Sequence, residues 1–455
     1  MECRPMNMYK KYQSFEELIN DFLQRDGIAL SCCDSDGNVL NVPYKELGEM
    51  IVSESFHVRA ACSTVEVIRY EQNVDSIVDI FAHVIAGCDV IIADPRVSES
   101  FFTYASSIAE TAREARENQR DEYGRVVGKQ GEGELLFFTS GTTSRSKVVR
   151  LTSRALCASA WNGQNMLQCG KDDTILSILS LSHAYGFVCS MLWGLTYGAT
   201  VALGRNVHEF TGDALFFKPT IIPAVPAQIA GMLKADGLNP ELRVVLIGGT
   251  TCPQTIIDSL KERGIDLYIG YGLTETASGV AITQDLDEPE AMYPCPDADI
   301  RIEPDGEISI ATPCMMLGYM GREPMFEDGR FFTGDIGWFD EKGRLHLKGR
   351  KKDVLLLPDG SKIFCPEYED DLALLTGLPD VAIVSKDGQT LLIVGSCTDN
   401  PEIAADLRKR TLRIVDKYNQ ILTQPQRISD VVIRAEALPR TATGKLKRYE
   451  LQDQL

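Results

Sequence analysis

Apolar residues recur along this chain in two alternating rhythms. Between residues 12 and 24, Phe15, Leu18, Ile19, Phe22 and Leu23 fall three and four apart, which predicts a helix with one buried face. A polar turn at 34–38 precedes a short strand at 39–42, and Tyr44, Lys45, Glu46 and Leu47 open the next helix. The pattern continues with a strand at 65–68, an apolar helix at 75–86, a strand at 89–93 and a helix at 98–118. A Gly-rich turn at 128–133 leads to a strand at 135–138. Then come a helix at 153–166, a strand at 174–179, an apolar helix at 187–194 and a strand at 198–203. A strand and turn at 217–226 and strands at 243–247 and 266–269 complete the series. Strand and helix in turn predict an α/β architecture with a largely parallel sheet.

Two short strands, 299–303 and 307–310, flank a Pro304-Asp305-Gly306 turn and predict a small β region after that body. The polar run Gly349-Arg350-Lys351-Lys352-Asp353 separates apolar segments at 345–347 and 354–357. We place a domain boundary there. Residues 1–349 form an N-terminal body, and residues 350–455 form a small α+β domain. The latter has strands near 380–384, 391–395 and 430–434 and a helix near 401–418. No internal repeat is visible.

A chain of 455 residues exceeds one usual core, in keeping with that division. With 44% hydrophobic and 24% charged residues, it reads as an ordinary globular protein. The net charge of -19 and the want of a basic stripe argue against a nucleic-acid partner. No apolar stretch is long enough to span a membrane, and residues 1–5 lack the apolar core of a signal peptide. Thirteen cysteines without CxxC or Cys/His ligand spacing suggest reduced thiols in a cytoplasmic protein rather than a zinc site.

The densest chemistry lies between the apolar segments at 135–138 and 148–149. Thr139, Ser140, Gly141, Thr142, Thr143, Ser144, Arg145, Ser146 and Lys147 put hydroxyls, backbone N–H groups and cations in one loop. That set suits a polyphosphate, and Gly141 permits close backbone approach. The GxxxxGK[ST] spacing is absent, so alone the loop reads either as a phosphate cradle or as a polar surface turn. The helix at 153–166 is expected to aim its N-terminus back at the loop, a favourable place for an anion. His183, Gly248 and the loop itself lie at the carboxyl ends of predicted strands, where open α/β sheets hold ligands. Tyr271, between Gly270 and Gly272, has room to stack on a flat ring. Glu275 offers a hard carboxylate to Mg²⁺, and Asp335 can accept two hydrogen bonds from a ribose diol.

Seven segments, in this order, resemble the adenylate-forming or AMP-binding superfamily. It comprises acyl- and aryl-CoA synthetases, nonribosomal peptide adenylation domains and beetle luciferases. The segments are 139–147, 271–275, Gly306-Glu307-Ile308, Met316-Leu317-Gly318-Tyr319, Thr333-Gly334-Asp335, Gly349-Arg350-Lys351-Lys352-Asp353 and 439–445. The resemblance implies a large body, a small mobile C-terminal lid and two half-reactions: acyl-adenylate formation with release of pyrophosphate, then attack by a thiol with release of AMP. It implies that Thr139, Ser140, Gly141, Thr142, Thr143, Ser144 and Lys147 hold the β- and γ-phosphates, Thr274 the α-phosphate and Glu275 the Mg²⁺. Tyr271 would stack on adenine, with Gly249 and Gly272 alongside, and Asp335 would hold the ribose with Arg350 nearby. Lys445 would reach in from the lid to the adenylation transition state, and Lys352 matches the hinge.

The acid pocket would be walled by His183, Phe187, Trp193, Val225, Gly248, Thr250 and Gly279. Its paired glycines leave room and its aromatics supply apolar walls, which suits an aryl or medium-chain acyl group. His183 borders the carboxylate without serving as a general base.

Departures from the family pattern are specific. Ser144, Ser146 and Val148 stand where the family loop has glycine, proline and glycine. Ser144 gives up easy access to φ > 0 and Ser146 a pre-set φ, which leaves the loop less preorganised. Only one helix follows Asp94-Pro95 before the loop, and residues 284–299 are compact. The body therefore reads as trimmed, with an edge left open, covered by a partner or used in a homodimer. The resulting expectation is an ATP-, Mg²⁺- and CoA-dependent acid–thiol ligase. A stand-alone enzyme loading a carrier-protein phosphopantetheine in trans is the alternative. A degenerate, non-catalytic nucleotide-binding or interaction module is a third reading, against which Glu275, Asp335 and Lys445 argue.

Overall fold

The structure is a computed structural model. It describes all residues except 1–8, 34–36, 62–64, 95–102, 112–130, 140–146, 206–208, 250–251, 322–325, 358–361, 387–388, 397, 441–445 and 454–455. The first helix, Phe15–Phe22, starts where Ser14 accepts a hydrogen bond from the Glu17 N–H, and it buries Phe15, Leu18, Ile19 and Phe22 as the spacing predicts. Helix Val74–Ile85 is capped likewise by Asn73 and is apolar on nearly all sides because it lies within the core.

Two sheets organise the described body. The smaller runs Gly318–Tyr319, Val148–Thr152, Glu134–Phe138, Asp89–Ala93, Val65–Arg69. Its last three strands are mutually parallel, while Val148–Thr152 returns antiparallel beside Glu134–Phe138. The larger sheet has 14 strands among the described residues. Its parallel centre is Asp266–Leu273, Val244–Gly248, Ile221–Ala224, Thr174–Ser177, Thr200–Leu203 and Ile28–Cys33. At the 266–273 side it turns antiparallel and carries the small β region, where Asp299–Ile302 pairs with Glu307–Ala311 as expected around residues 304–306. One core cluster lies between the two sheets, and a second lies beneath the parallel centre and the β region.

Residues after 353 have cores of their own. A hairpin, Val354–Leu356 with Lys362–Phe364, precedes a three-stranded sheet of Val381–Lys386, Gln389–Gly395 and Ile428–Arg434. Helices Cys365–Thr376 and Pro401–Tyr418 cover it, burying Tyr368, Leu372, Val415 and Tyr418.

The structure alters several expectations. Only 103–111 of the helix expected at 98–118 is described. The apolar helix at 187–194 is part of a continuous helical run, Ala184–Phe187, Val188–Leu192 and Trp193–Tyr197, whose middle section is a π-turn. The strand expected at 266–269 continues to Leu273, so Tyr271 and Gly272 belong to the sheet. Helix Ser153–Met166 does not start at the 139–147 end of the hairpin, as the sequence leads one to expect. Strand Val148–Thr152 leads away from the loop before the helix begins, a run of roughly 16 Å at strand rise. The helix N-terminus meets Glu132 instead, through the Ser153 hydroxyl.

Candidate active site

Strands Glu134–Phe138 and Val148–Thr152 form a hairpin, and the Thr139 N–H bonds the Lys147 carbonyl at 2.9 Å to close its end. Residues 140–146 span that end, and Ser140, Gly141, Thr142, Thr143 and Ser144 lie outside the described residues. Lys147 leaves the loop with its ammonium 4.5 Å from the centroid of the Tyr319 ring.

Glu275 sits on a single 3₁₀ turn, Thr274–Thr276, directly after strand Asp266–Leu273. The chain then reverses sharply into Ser278–Thr283. Ala277 and Ser278 take φ of 49° and 95°, values that cost energy in residues with a Cβ. Gly272 is required at this reversal, since a Cβ there would lie 1.7 Å from the Ser278 carbonyl oxygen. The Tyr319 hydroxyl donates to Glu275 Oε1 at 2.7 Å. The Met316 N–H donates to the Glu275 carbonyl at 2.8 Å, so segment 316–320 ties this turn to the exit strand of the loop. One carboxylate oxygen is thereby oriented. Mg²⁺ in nucleotide sites usually takes one or two carboxylates plus phosphates and waters, and Glu275 fits that role. No cluster of three or more His, Cys, Asp or Glu suited to an all-protein metal cage occurs among the described residues.

A second constellation stands on paired strands of the large sheet. Asp335 on Arg330–Phe339 and Arg350 on Leu345–Arg350 are cross-strand partners, and Arg350 Nε lies 2.8 Å from the Asp335 carboxylate. The Tyr271 hydroxyl donates to the other Asp335 oxygen at 2.7 Å. Burial first, and the Asp335 charge second, push the Tyr271 phenol well above its ordinary range, so it remains a donor. Below, Glu307 accepts from the Gly334 N–H at 2.8 Å and pairs with Lys351 at 2.6 Å, which fixes the bend before Asp335. Hydrogen bonds from Lys351 and from the Glu307 N–H hold the Asp305 carboxyl below its ordinary range.

The region expected to hold an acid is tighter than its glycines suggest. Gly248 ends strand Val244–Gly248, but the Tyr185 ring occupies its open face, 2.9 Å from where a Cβ would stand. The Tyr185 hydroxyl anchors there on the Leu246 carbonyl at 2.7 Å. Phe187 is fully buried with its ring 5.8 Å from Phe137 and 6.3 Å from Phe81 and Phe15, so it belongs to the aromatic core. Trp193 and Gly279 do meet, around an apolar cavity of about 20 Å³ that Ala160, Gly163, Val188 and Cys189 also line. Such a volume holds about one water, so an acyl tail would have to widen it. Trp193 is a fixed wall, its indole N–H bonded to Gln164 at 2.8 Å. Burial pushes the Cys189 thiol up to about 11, which keeps it neutral.

His183 is exposed ahead of helix Ala184–Phe187, and Val225 precedes the helix that starts at Pro226. Gly249 is exposed with φ of 80°. Lys352 is exposed on the 3₁₀ turn Lys351–Asp353. Thr250 and Lys445 lie outside the described residues, the latter between Arg440 and Leu446, which form an antiparallel bridge.

Tyr185, Gln164 and Tyr319 escaped functional notice in the sequence. The first two carry no local signal, because their partners are distant in the chain. Tyr319 stood within a recognised segment, but nothing local shows that its ring reaches both Lys147 and Glu275.

A model of the family described as AMP-binding enzyme matches residues 77–320. A 2-succinylbenzoate–CoA ligase of Listeria monocytogenes is 28% identical over 333 residues, 70% of this chain and 69% of that protein. An indoleacetate–CoA ligase of Aromatoleum aromaticum is 30% identical over 348 residues, 70% of this chain and 66% of that one. Among solved structures, o-succinylbenzoate CoA synthetase from Bacillus subtilis, in complex with its acyl-adenylate intermediate, superposes with a TM-score of 0.76 at 21% identity, over 96% of this chain and 98% of that one. ATP-bound MatB from Rhodopseudomonas palustris gives a TM-score of 0.76 at 18% identity with the same coverage.

Proposed function

The chain belongs to the AMP-binding enzyme family, and on that premise we propose that it is an AMP-forming carboxylic acid–CoA ligase. The observation that carries this reading is the Tyr271–Asp335–Arg350 constellation, which sits in the same sheet as the Glu275 turn. It provides a place for a nucleoside beside a place for a metal-bound phosphate chain. Relatives that cover 70% of the chain carry CoA-ligase names, which supports CoA as the acceptor.

In the first half-reaction a carboxylate oxygen attacks the α-phosphorus of ATP and the bond to pyrophosphate breaks. Lys147 would neutralise the leaving phosphates, Thr274 would donate to the α-phosphate, and Lys445 would bridge the carboxylate and the α-phosphate. Bound Mg²⁺ would supply further neutralising charge, with Glu275 as its protein ligand. Asp335 would hold the ribose hydroxyls and Tyr271 the base. In the second half-reaction the CoA thiol attacks the acyl carbonyl and AMP leaves. Residues 350–455 would act as the lid that exchanges the two steps, turning about Lys352.

The apolar cavity at Trp193 and Gly279 favours an acid with an aryl or alkyl tail. ATP–pyrophosphate exchange over a panel of such acids tests the reading. Exchange with one acid, followed by CoA-dependent release of AMP, is the expected result; ATP binding without exchange on any acid would overturn it.

A further inference from the structure

Tyr319 is 3% exposed and belongs to the core cluster between the two sheets, yet it reaches two charged groups of the site. Its hydroxyl donates to Glu275 Oε1 at 2.7 Å, and the Lys147 ammonium stands 4.5 Å from its ring centroid. The ring is held by backbone on both sides. Strand Gly318–Tyr319 pairs with Val148–Thr152, Tyr319 opposite Val149. The Leu317 and Met320 N–H groups donate to Arg150 and Val148 at 2.9 and 2.8 Å, and the Met316 N–H to Glu275 at 2.8 Å.

Glu275 and Lys147 are both half-buried and each has a flexible side chain. They flank one ring, and opposite charges without a spacer tend to pair, each then partly spent on the other. The phenol prevents that. It gives the cation a π face and the anion a hydrogen-bond donor, and its six-membered ring keeps the two apart.

We infer that Tyr319 is a positioning residue that separates Lys147 from Glu275 and orients both, leaving the carboxylate free for a divalent metal and the ammonium free for a polyphosphate. It rests on the reading of Glu275 and Lys147 given above, but not on which acid is activated. Two halves of the side chain carry two separable effects. The hydroxyl acts on the metal through Glu275, and the ring acts on the phosphate chain through Lys147.

The test is binding, which needs no acid. Mn²⁺ affinity of the ATP-bound full chain is read by electron paramagnetic resonance, and ATP affinity in EDTA by calorimetry. For Tyr319→Phe, Mn²⁺ affinity should fall roughly tenfold, the usual scale for removing a hydrogen bond that orients a metal ligand. Metal-free ATP affinity should hold. Tyr319→Leu should lose both affinities. In a Glu275→Gln background, Tyr319→Phe should add no further loss of Mn²⁺ affinity, a coupling that a merely structural role would not produce. Unchanged Mn²⁺ binding by Tyr319→Phe, or equal losses in the Glu275→Gln background, would overturn the inference. A wild-type chain that binds ATP and Mn²⁺ but exchanges with no acid would sink the ligase reading and leave this one standing; one that binds no ATP would sink both.

Discussion

The Tyr271 phenol and the Asp335 carboxylate, 64 positions apart in the chain, meet in a 2.7 Å hydrogen bond. The bond joins two strands that are not neighbours in the sheet, since three others lie between them. Asp335→Asn should remove the Arg350 ion pair and the anionic acceptor for a ribose together. ATP binding should weaken about tenfold or more, the scale of losing a charge-assisted hydrogen bond, while the KM of the acid stays near wild type. Calorimetry with ATP and exchange kinetics check the two halves of that statement.

Lys445→Ala should lower kcat for ATP–pyrophosphate exchange by about a hundredfold or more, because the contact is made chiefly in the transition state. ATP affinity should change little. A variant that bound ATP poorly but turned over normally would assign the residue to ground-state binding.

Gly163 lies inside helix Ser153–Met166, and a Cβ there would stand 3.9 Å from Trp193, in ordinary contact. Gly163→Ala should therefore fold and gain up to about 1 kcal/mol from helix propensity. Because Gly163 lines the cavity, the same methyl should narrow the range of acids accepted, bulky tails first. A melting curve and an acid panel read the gain and the cost in one protein.

Gly272→Ala should be severely destabilising, by about 3 kcal/mol or more, because the new Cβ meets backbone that cannot move aside. The expected sign is soluble protein of much lower Tm, or none. A variant melting like wild type would show that the reversal after Glu275 has slack.

Acid should loosen the β region before it loosens the rest. The Arg330 hydrogen bond beside Asp299 holds its carboxyl below the ordinary 3.8, against a smaller opposing effect of burial. A depressed folded-state pKa means stabilisation that is present above the unfolded value and lost as pH falls through the folded one. Asp299 is half-exposed, so the effect is small. Asp299→Asn should lower Tm at pH about 7, and the difference should shrink as pH falls below the ordinary 3.8 toward the depressed folded-state value.

Much of this was legible in the sequence, for identifiable reasons. Helix Phe15–Phe22 announces itself because its apolar face and Ser14 cap are local. Thr139, Glu275 and Asp335 stand out because each sits in a short polar interruption of an apolar run. The apolar pattern ends the strand at Ile269, yet Tyr271 lies in it, because the pairing that extends Asp266–Leu273 comes from Ser278–Thr283 across a reversal that positive φ at two non-glycine residues makes possible. Gly248 suggests an open floor, where the Tyr185 ring stands, and Phe187 suggests a wall, where its ring packs among other aromatics. Both differences have one cause: a sequence shows which side chains are small, not which neighbour moves into the space.

The pairing of Asp335 with Arg350 places the last residue of strand Leu345–Arg350, just before the 3₁₀ turn at Lys351–Asp353, directly against the carboxylate that would grip the ribose. Any swing of the C-terminal domain about that turn would have its fulcrum at the nucleotide. Displacement would be near zero at the sugar and greatest at the far end of the domain, as on a door hung beside its own lock. Nucleotide occupancy and domain orientation could then inform each other across a single residue pair, with no relay through the core.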